Sequence, residues 1–139
     1  MSKKIIDPVF GEMTYQHSWV RSEGIDWWGT YTVEITAHAY TGQLIAEEQK
    51  VAYLDYKNTA EKFIADSVPL LVKFINDSYD LASSISNADL LALLKPTAVL
   101  FQRDGSWGVL FESDLEPENG IAIFKENGVI KVGTQDDFL

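Results

Sequence analysis

Short segments in which apolar and polar residues alternate occupy the first part of this chain. Alternation is visible over 9–15 and 18–21, and a longer segment rich in β-branched and aromatic residues covers 28–38. In this third segment the apolar side chains fall on one side and the polar side chains on the other. That is the pattern of an antiparallel strand with one face in water. We therefore expect a meander of three strands before residue 40.

The middle of the chain has helical spacing instead. Residues 46–56 fit both a helix and a strand, and we favour a helix because Glu47 and Glu48 would then lie in its first turn, where the helix dipole favours negative charge. Over 58–79 apolar residues recur every three to four positions and form the stripe of a second amphipathic helix. Pro69 interrupts this stripe, so we expect a kink or two abutting helices there.

A short apolar helix over 90–94 is predicted to end before Pro96, and the alternating pattern returns over 97–139. Asp104-Gly105 and Asn127-Gly128 both lie between apolar runs, and each offers the positive φ angles of a two-residue type I′ hairpin turn. We expect one apolar layer to join the returning strands to the helices. Its predicted members are Trp107, Val109, Phe111, Ile121 and Ile123 from the strands, and Phe63, Leu71 and Phe74 from the helices.

This order of elements predicts an α+β fold. Its antiparallel sheet is built from N- and C-terminal strands, about six or seven in all, with two to three helices packed on one face. The length of 139 residues predicts one domain over 1–139. No apolar run approaches the ~20 residues of a membrane span. There is no cysteine and no apolar segment of signal-peptide type near the start, so we expect a cytoplasmic protein.

The charge is strongly and unevenly negative. The net charge is −10, and the segment 97–139 carries eight acidic and three basic residues. Nucleic acid is therefore not expected as a partner, because phosphate contacts need clustered lysine and arginine. A basic protein partner is consistent with this charge, as is a well-solvated surface whose only role is solubility.

Motifs of catalysis are absent from the sequence. It contains no GxSxG elbow, phosphate-binding loop or GxGxxG fingerprint, and cysteine nucleophiles are excluded. The two histidines, His17 and His38, have no spacing that indicates a metal site. We therefore expect a binding protein rather than an enzyme, with neither cofactor nor metal.

The candidate contact residues are acidic or aromatic. A loop and the chain end should both be exposed and negatively charged, and the Trp27-Trp28 pair places one indole on each face of an extended segment. Exposed tryptophans are common anchors at interfaces. The candidate partner-binding residues are Asp114, Glu116, Glu118, Asp136, Asp137 and Trp27.

Several short segments resemble a family of uncharacterised small bacterial domains, a domain of unknown function. These segments are Phe10-Gly11, Trp19, Gln49-x-x-Ala52-Tyr53, Trp107-Gly108-x-x-Phe111, Pro117-Glu118-x-Gly120-Ile121-Ala122 and Val132-Gly133-x-Gln135-Asp136. The likeness covers nearly the whole chain and is strongest after residue 97, and Pro69 departs from it. The family implies no catalytic residue.

In size, charge and architecture the chain also resembles bacterial immunity proteins, which neutralise a cognate toxin. That resemblance implies a protein that binds and blocks a basic toxin domain. The alternatives are a small ligand-binding or hydrolase-like domain and a structural domain of a larger complex.

Overall fold

The structure is a computed structural model that describes residues 3–26, 29–81, 83–86 and 89–138. Its strands are β1 Lys3–Asp7, β2 Gly11–Tyr15, β3 Trp19–Asp26, β4 Thr30–Ala37, β5 Lys95–Phe101, β6 Trp107–Glu112, β7 Ile121–Glu126 and β8 Val129–Thr134. Its helices are α1 Glu47–Ser78, α2 Leu90–Leu93 and a short 3₁₀ helix Gln135–Asp137. No helix among the described residues has the length and apolar character needed to cross a bilayer.

All eight strands belong to one sheet, in which they lie in the order of the sequence. β1–β4 form one antiparallel meander and β5–β8 form a second. The two meanders are joined by a parallel pair, in which Glu34 to Ala37 lie beside Ala98 to Phe101. A parallel pair needs a long crossover, and α1 lies within that connection. The predicted all-antiparallel sheet is therefore wrong, and the sheet has more strands than the expected six or seven.

The prediction of two to three helices packed on one face of the sheet is also wrong. The segments predicted as separate helices, 46–56 and 58–79, form the single helix α1, which runs through Pro69 without a break. A proline removes one intrahelical hydrogen bond. Buried apolar residues on both sides of it, such as Ile64 and Leu71, keep the helix on the sheet. α2 is only a single turn of four residues.

The core between α1 and the sheet contains the predicted layer. Trp107, whose ring centroid lies 4.5 Å from that of Phe63, is buried together with Val109, Phe111, Ile121 and Ile123 of the neighbouring strands. Leu71 is fully buried in the same cluster. Phe74 is the exception among the predicted members, because it is only partly buried and its ring lies against Tyr79.

The two hairpin turns differ. Asn127 and Gly128 both have positive φ, as a type I′ turn requires. At the other hairpin only Gly105 has positive φ, and its backbone N–H donates to Gln102 O over 3.0 Å. The type I′ prediction is therefore wrong there, and the connection is a longer turn. Asp104 Oδ1 accepts hydrogen bonds from the backbone N–H and the hydroxyl of Ser106, which holds that turn.

The far face of the second meander has its own small apolar cluster. Leu100, Ala122 and Phe124 are buried there, although α1 lies on the opposite face. The C-terminal segment covers them, since the ring of Phe138 stacks on Phe124 with centroids 4.5 Å apart. Gln102 Nε2 donates to Phe138 O over 2.9 Å and fixes this segment.

Candidate functional site

A cleft of about 700 Å³ opens between the N-terminal part of α1 and two turns of the sheet. The turns are those that follow β5 and β7. The lining residues are Glu47, Glu48, Val51, Ala52, Asp55, Asp104, Gly105, Ser106, Trp107, Lys125, Glu126, Asn127 and Gly128. Its volume lies within the range of small-molecule sites, which is ~300–1,000 Å³.

An ion pair and an indole form the floor of this cleft. Lys125 is directly opposite Trp107 in the β6–β7 pair, so both side chains point toward α1. Asp55 of α1 meets both of them: its Oδ2 lies 2.9 Å from Lys125 Nζ and accepts a hydrogen bond of 3.0 Å from Trp107 Nε1. The polar groups of the helix and the sheet therefore converge on one carboxylate.

Carboxylates surround this floor. Glu47 lies 3.9 Å from Lys50 and Glu126 lies 3.7 Å from Lys131, so these two are partly compensated. Glu48 and Asp104 have no ion pair within the part of the chain that the structure describes. The hydrogen bonds from Ser106 lower the pKa of Asp104 below its usual value, so Asp104 is charged at neutral pH. The cleft is consequently a site of negative potential.

The acidic loop predicted as a contact surface is partly structural. Asp114 and Glu118 are exposed, but Glu116 is half-buried and its Oε2 accepts a hydrogen bond of 3.0 Å from the hydroxyl of Tyr79, at the end of α1. Burial and then this hydrogen bond raise the pKa of Tyr79 to about 12. Glu116 therefore joins the loop to the helix.

The predicted tail residues lie apart from that loop. Asp136 and Asp137 are exposed, and Asp137 Oδ2 accepts the backbone N–H of Thr134 over 2.9 Å, which caps the 3₁₀ helix. Asp137 lines a cleft of about 420 Å³ that includes His38 and Tyr40, whereas Asp114 lines one of about 300 Å³ beside α2. The structure does not bring loop and tail into one pocket. Trp27, the remaining predicted contact, lies outside the described residues.

A charged cluster that the sequence analysis missed joins β3 to α1. Arg21 Nε donates to Phe10 O over 2.8 Å, and its terminal nitrogen contacts Glu23 Oε1 at 3.1 Å and the hydroxyl of Tyr53. Lys57 of α1 completes the cluster, 3.2 Å from Glu23 Oε1. The signal was present, because alternation along β3 places Arg21 and Glu23 on the same side as the buried Trp19 and Ile25.

The titration of this cluster follows from its burial and its charges. Burial by itself raises the pKa of Glu23, but the hydrogen bonds and positive charges of Arg21 and Lys57 outweigh it, so the pKa lies below its ordinary value. Burial and then the negative charge of Glu23 raise the pKa of Tyr53 and Tyr56. Glu23 is thus an ionised acceptor held between two cations and two tyrosines.

The described residues contain no candidate metal-binding site. No group of three or more histidine, aspartate or glutamate side chains there is placed to hold a metal ion. The arrangement in the cleft suits the binding of a positively charged group by carboxylates, with Trp107 and Lys125 fixing Asp55.

Comparison with known protein families identifies one family that this chain matches. The sequence profile of one family, described as a domain of unknown function (DUF6985), matches residues 9–139. The chain belongs to the DUF6985 family. This match confirms the resemblance to a domain of unknown function, and it does not test the resemblance to immunity proteins. No curated protein matches the chain, and no solved structure matches it.

Proposed function

We propose that this DUF6985 protein is an immunity-type protein that binds and neutralises a basic toxin domain. The observation that carries the proposal is the carboxylate-rich cleft beside α1, in a chain whose net charge is −10. Complementary charge increases the rate at which two proteins meet and suppresses wrong partners. An acidic inhibitor is therefore suited to a basic toxin.

Neutralisation in this proposal is steric. Carboxylates attract the partner over roughly a Debye length, which is about 8 Å at physiological salt, and then pair with its lysine and arginine side chains. The bound protein covers the toxin's basic surface and keeps its substrate away. No reaction is needed from the inhibitor.

A second candidate function is the binding of a small cationic ligand. The lining of the cleft favours it, because Glu48 and Asp104, which have no ion pair among the described residues, border a space of ligand size. In that case a small cation alone would saturate the cleft.

Co-expression tests the first candidate. Each open reading frame adjacent to the gene would be induced in a bacterial host with and without this protein, and growth would be measured. We expect one neighbour to arrest growth, this protein to restore it, and the two purified proteins to elute together in gel filtration. If no neighbour is toxic, or if a toxic neighbour forms no complex, the immunity proposal is wrong.

A further inference from the structure

The outer face of α1 beside the cleft carries exposed apolar side chains. Val51 is 63% exposed and Leu54 is 49% exposed. Residues three apart on a helix are neighbours on its surface, so these two side chains form one patch. The opposite side of the same turns, with Ala52, Tyr53 and Tyr56, is buried against the sheet. The patch is therefore on the solvent side of a firmly packed helix.

The patch is continuous with the negative cleft. Val51 itself lines the cleft, together with Glu47 and Glu48 on the preceding turn and Asp55 on the following one. An apolar group that settles on Val51 and Leu54 thus lies next to the carboxylates of the cleft. Lysine and arginine suit such a boundary, since their long aliphatic stems can lie on apolar surface while the charge meets a carboxylate.

Two carboxylates of the cleft, Glu48 and Asp104, lie beside this apolar patch and are available to pair with a cation of a partner. Glu48 and Asp104 have no ion pair among the described residues, and Gly105 brings the turn close to the helix at Glu48. Both side chains line the cleft, so a cation that binds in it enters a space bordered by two carboxylates without an ion pair among the described residues.

We propose that Val51, Leu54 and the adjoining cleft are a docking surface for a basic amphipathic segment of a partner protein. An arginine or lysine of that segment enters the cleft between Glu48 and Asp104, and its neighbouring apolar side chains cover Val51 and Leu54. The charge complementarity of the cleft selects a basic partner over a neutral hydrophobic one. This inference rests on the proposed function and specifies its contact surface, in place of the acidic loop around Asp114.

The test is an NMR titration of the full chain with a defined probe, the capped peptide acetyl-Leu-Arg-Arg-Leu-amide. We expect shift changes at the Trp107 indole N–H and at the backbone of 47–55 and 104–106. The charge-matched peptide acetyl-Gly-Arg-Arg-Gly-amide should bind more weakly, because it lacks the apolar contacts.

Two conservative double variants provide the comparison. Glu48→Gln with Asp104→Asn removes two charges and keeps an acceptor for Ser106, and it should weaken binding roughly three- to tenfold. Asp114→Asn with Glu118→Gln removes the same charge from the other acidic loop and should leave binding unchanged. Spectra without peptide report whether each variant is folded.

Three results would overturn the docking surface: no shift changes, shift changes that map to 114–118, or equal weakening by both double variants. These outcomes are separable from failure of the proposed function. A neighbouring toxin that still binds the Glu48→Gln, Asp104→Asn variant with wild-type affinity would leave the immunity proposal standing and exclude this surface.

Discussion

A single buried amide holds the start of α1 against the sheet. Gln49 is fully buried, its Oε1 accepts the backbone N–H of Ala46 over 2.8 Å, and its Nε2 donates to His38 O and to Phe101 O over 2.8 and 3.0 Å. Those two carbonyls follow β4 and end β5, the two strands of the parallel pair. One side chain thus satisfies backbone groups of three elements.

We expect Gln49→Glu to destabilise the protein by roughly 2–4 kcal/mol. The substitution replaces the donating NH₂ by an oxygen that faces two carbonyl oxygens, and a buried carboxylate oxygen that has acceptors but no donor beside it is costly. Urea unfolding followed by tryptophan fluorescence measures the effect. The exposed neighbour Glu48→Gln is the matched control and should cost less than about 1 kcal/mol, because it removes only the favourable interaction of a first-turn carboxylate with the helix dipole. Equal stability of both variants would show that the amide is not a structural link.

The Arg21–Glu23–Lys57 cluster predicts a loss of stability in acid. The folded-state pKa of Glu23 lies below its ordinary value of 4.5, so its contribution is present above that pH and is lost as the pH falls through the folded pKa. Burial by itself raises the pKa of Asp7, but backbone hydrogen bonds and Lys50 outweigh it and lower the pKa. Asp7 therefore also stabilises the fold above its ordinary pKa and loses that contribution as the pH falls.

Unfolding free energies measured from neutral pH down to about pH 3 should therefore fall for the wild type. In Glu23→Gln the fall should be smaller, because one of the groups whose pKa is lowered has been removed. A variant whose stability changes with pH as much as that of the wild type would contradict the role assigned to Glu23.

At the scale of elements, local signals predicted the second meander well and the crossover poorly. β6, β7 and β8 have alternating patterns bounded by turn residues, and Asn127-Gly128 fixes the last hairpin. Local sequence could not show that α1 continues through Pro69, because the burial that offsets the lost hydrogen bond comes from the sheet. β1 was not predicted, because the charged residues Lys3 and Lys4 interrupt the apolar pattern of a strand, although the segment pairs with β2.

β6 also contains a position where only glycine fits. A Cβ at Gly108 would lie 2.2 Å from Ile123 O and 2.5 Å from the ring of Phe124. We expect Gly108→Ala to cost roughly 1–3 kcal/mol, as overpacking does, since the neighbouring backbone belongs to the paired strand and cannot move aside. Gly24→Ala is the control, because its Cβ would meet nothing within 4 Å. Thermal melts in which both variants match the wild type would contradict this packing.

For the whole molecule, the decisive contact is the parallel pair of β4 and β5. It joins residues about sixty positions apart, and no local period in the sequence encodes it. The apolar layer was nevertheless predictable, because the spacing of apolar residues along each strand or helix indicates which of its faces is buried. Burial of Phe111 between strands and helix is the clearest case.

Phe111→Ala should therefore cost roughly 3–5 kcal/mol, the range for removal of a buried phenylalanine side chain. Equilibrium unfolding in urea checks this value. The control is Leu54→Ala on the exposed side of α1, for which we expect little change. A Phe111→Ala protein as stable as the wild type would exclude the proposed core.

The sequence predicted the acidic character of the candidate site but not its location. Composition and charge indicate an acidic contact surface, and the exposure of a loop between strands points to residues 114–118. The cleft could not be found in this way, because it joins Glu48, Asp104 and Asp55 from segments that only the crossover brings together. Glu116, a predicted contact residue, instead accepts a hydrogen bond from the hydroxyl of Tyr79.

The most direct test of a charge-steered inhibitor is its association rate with the toxic neighbour at low and at high salt. We predict fast association of the wild-type protein that slows as salt screens the exposed charges. At low salt, Glu48→Gln with Asp104→Asn should slow it, whereas Asp114→Asn with Glu118→Gln should not. An association rate that is independent of salt and identical in all three proteins would contradict binding through an acidic surface.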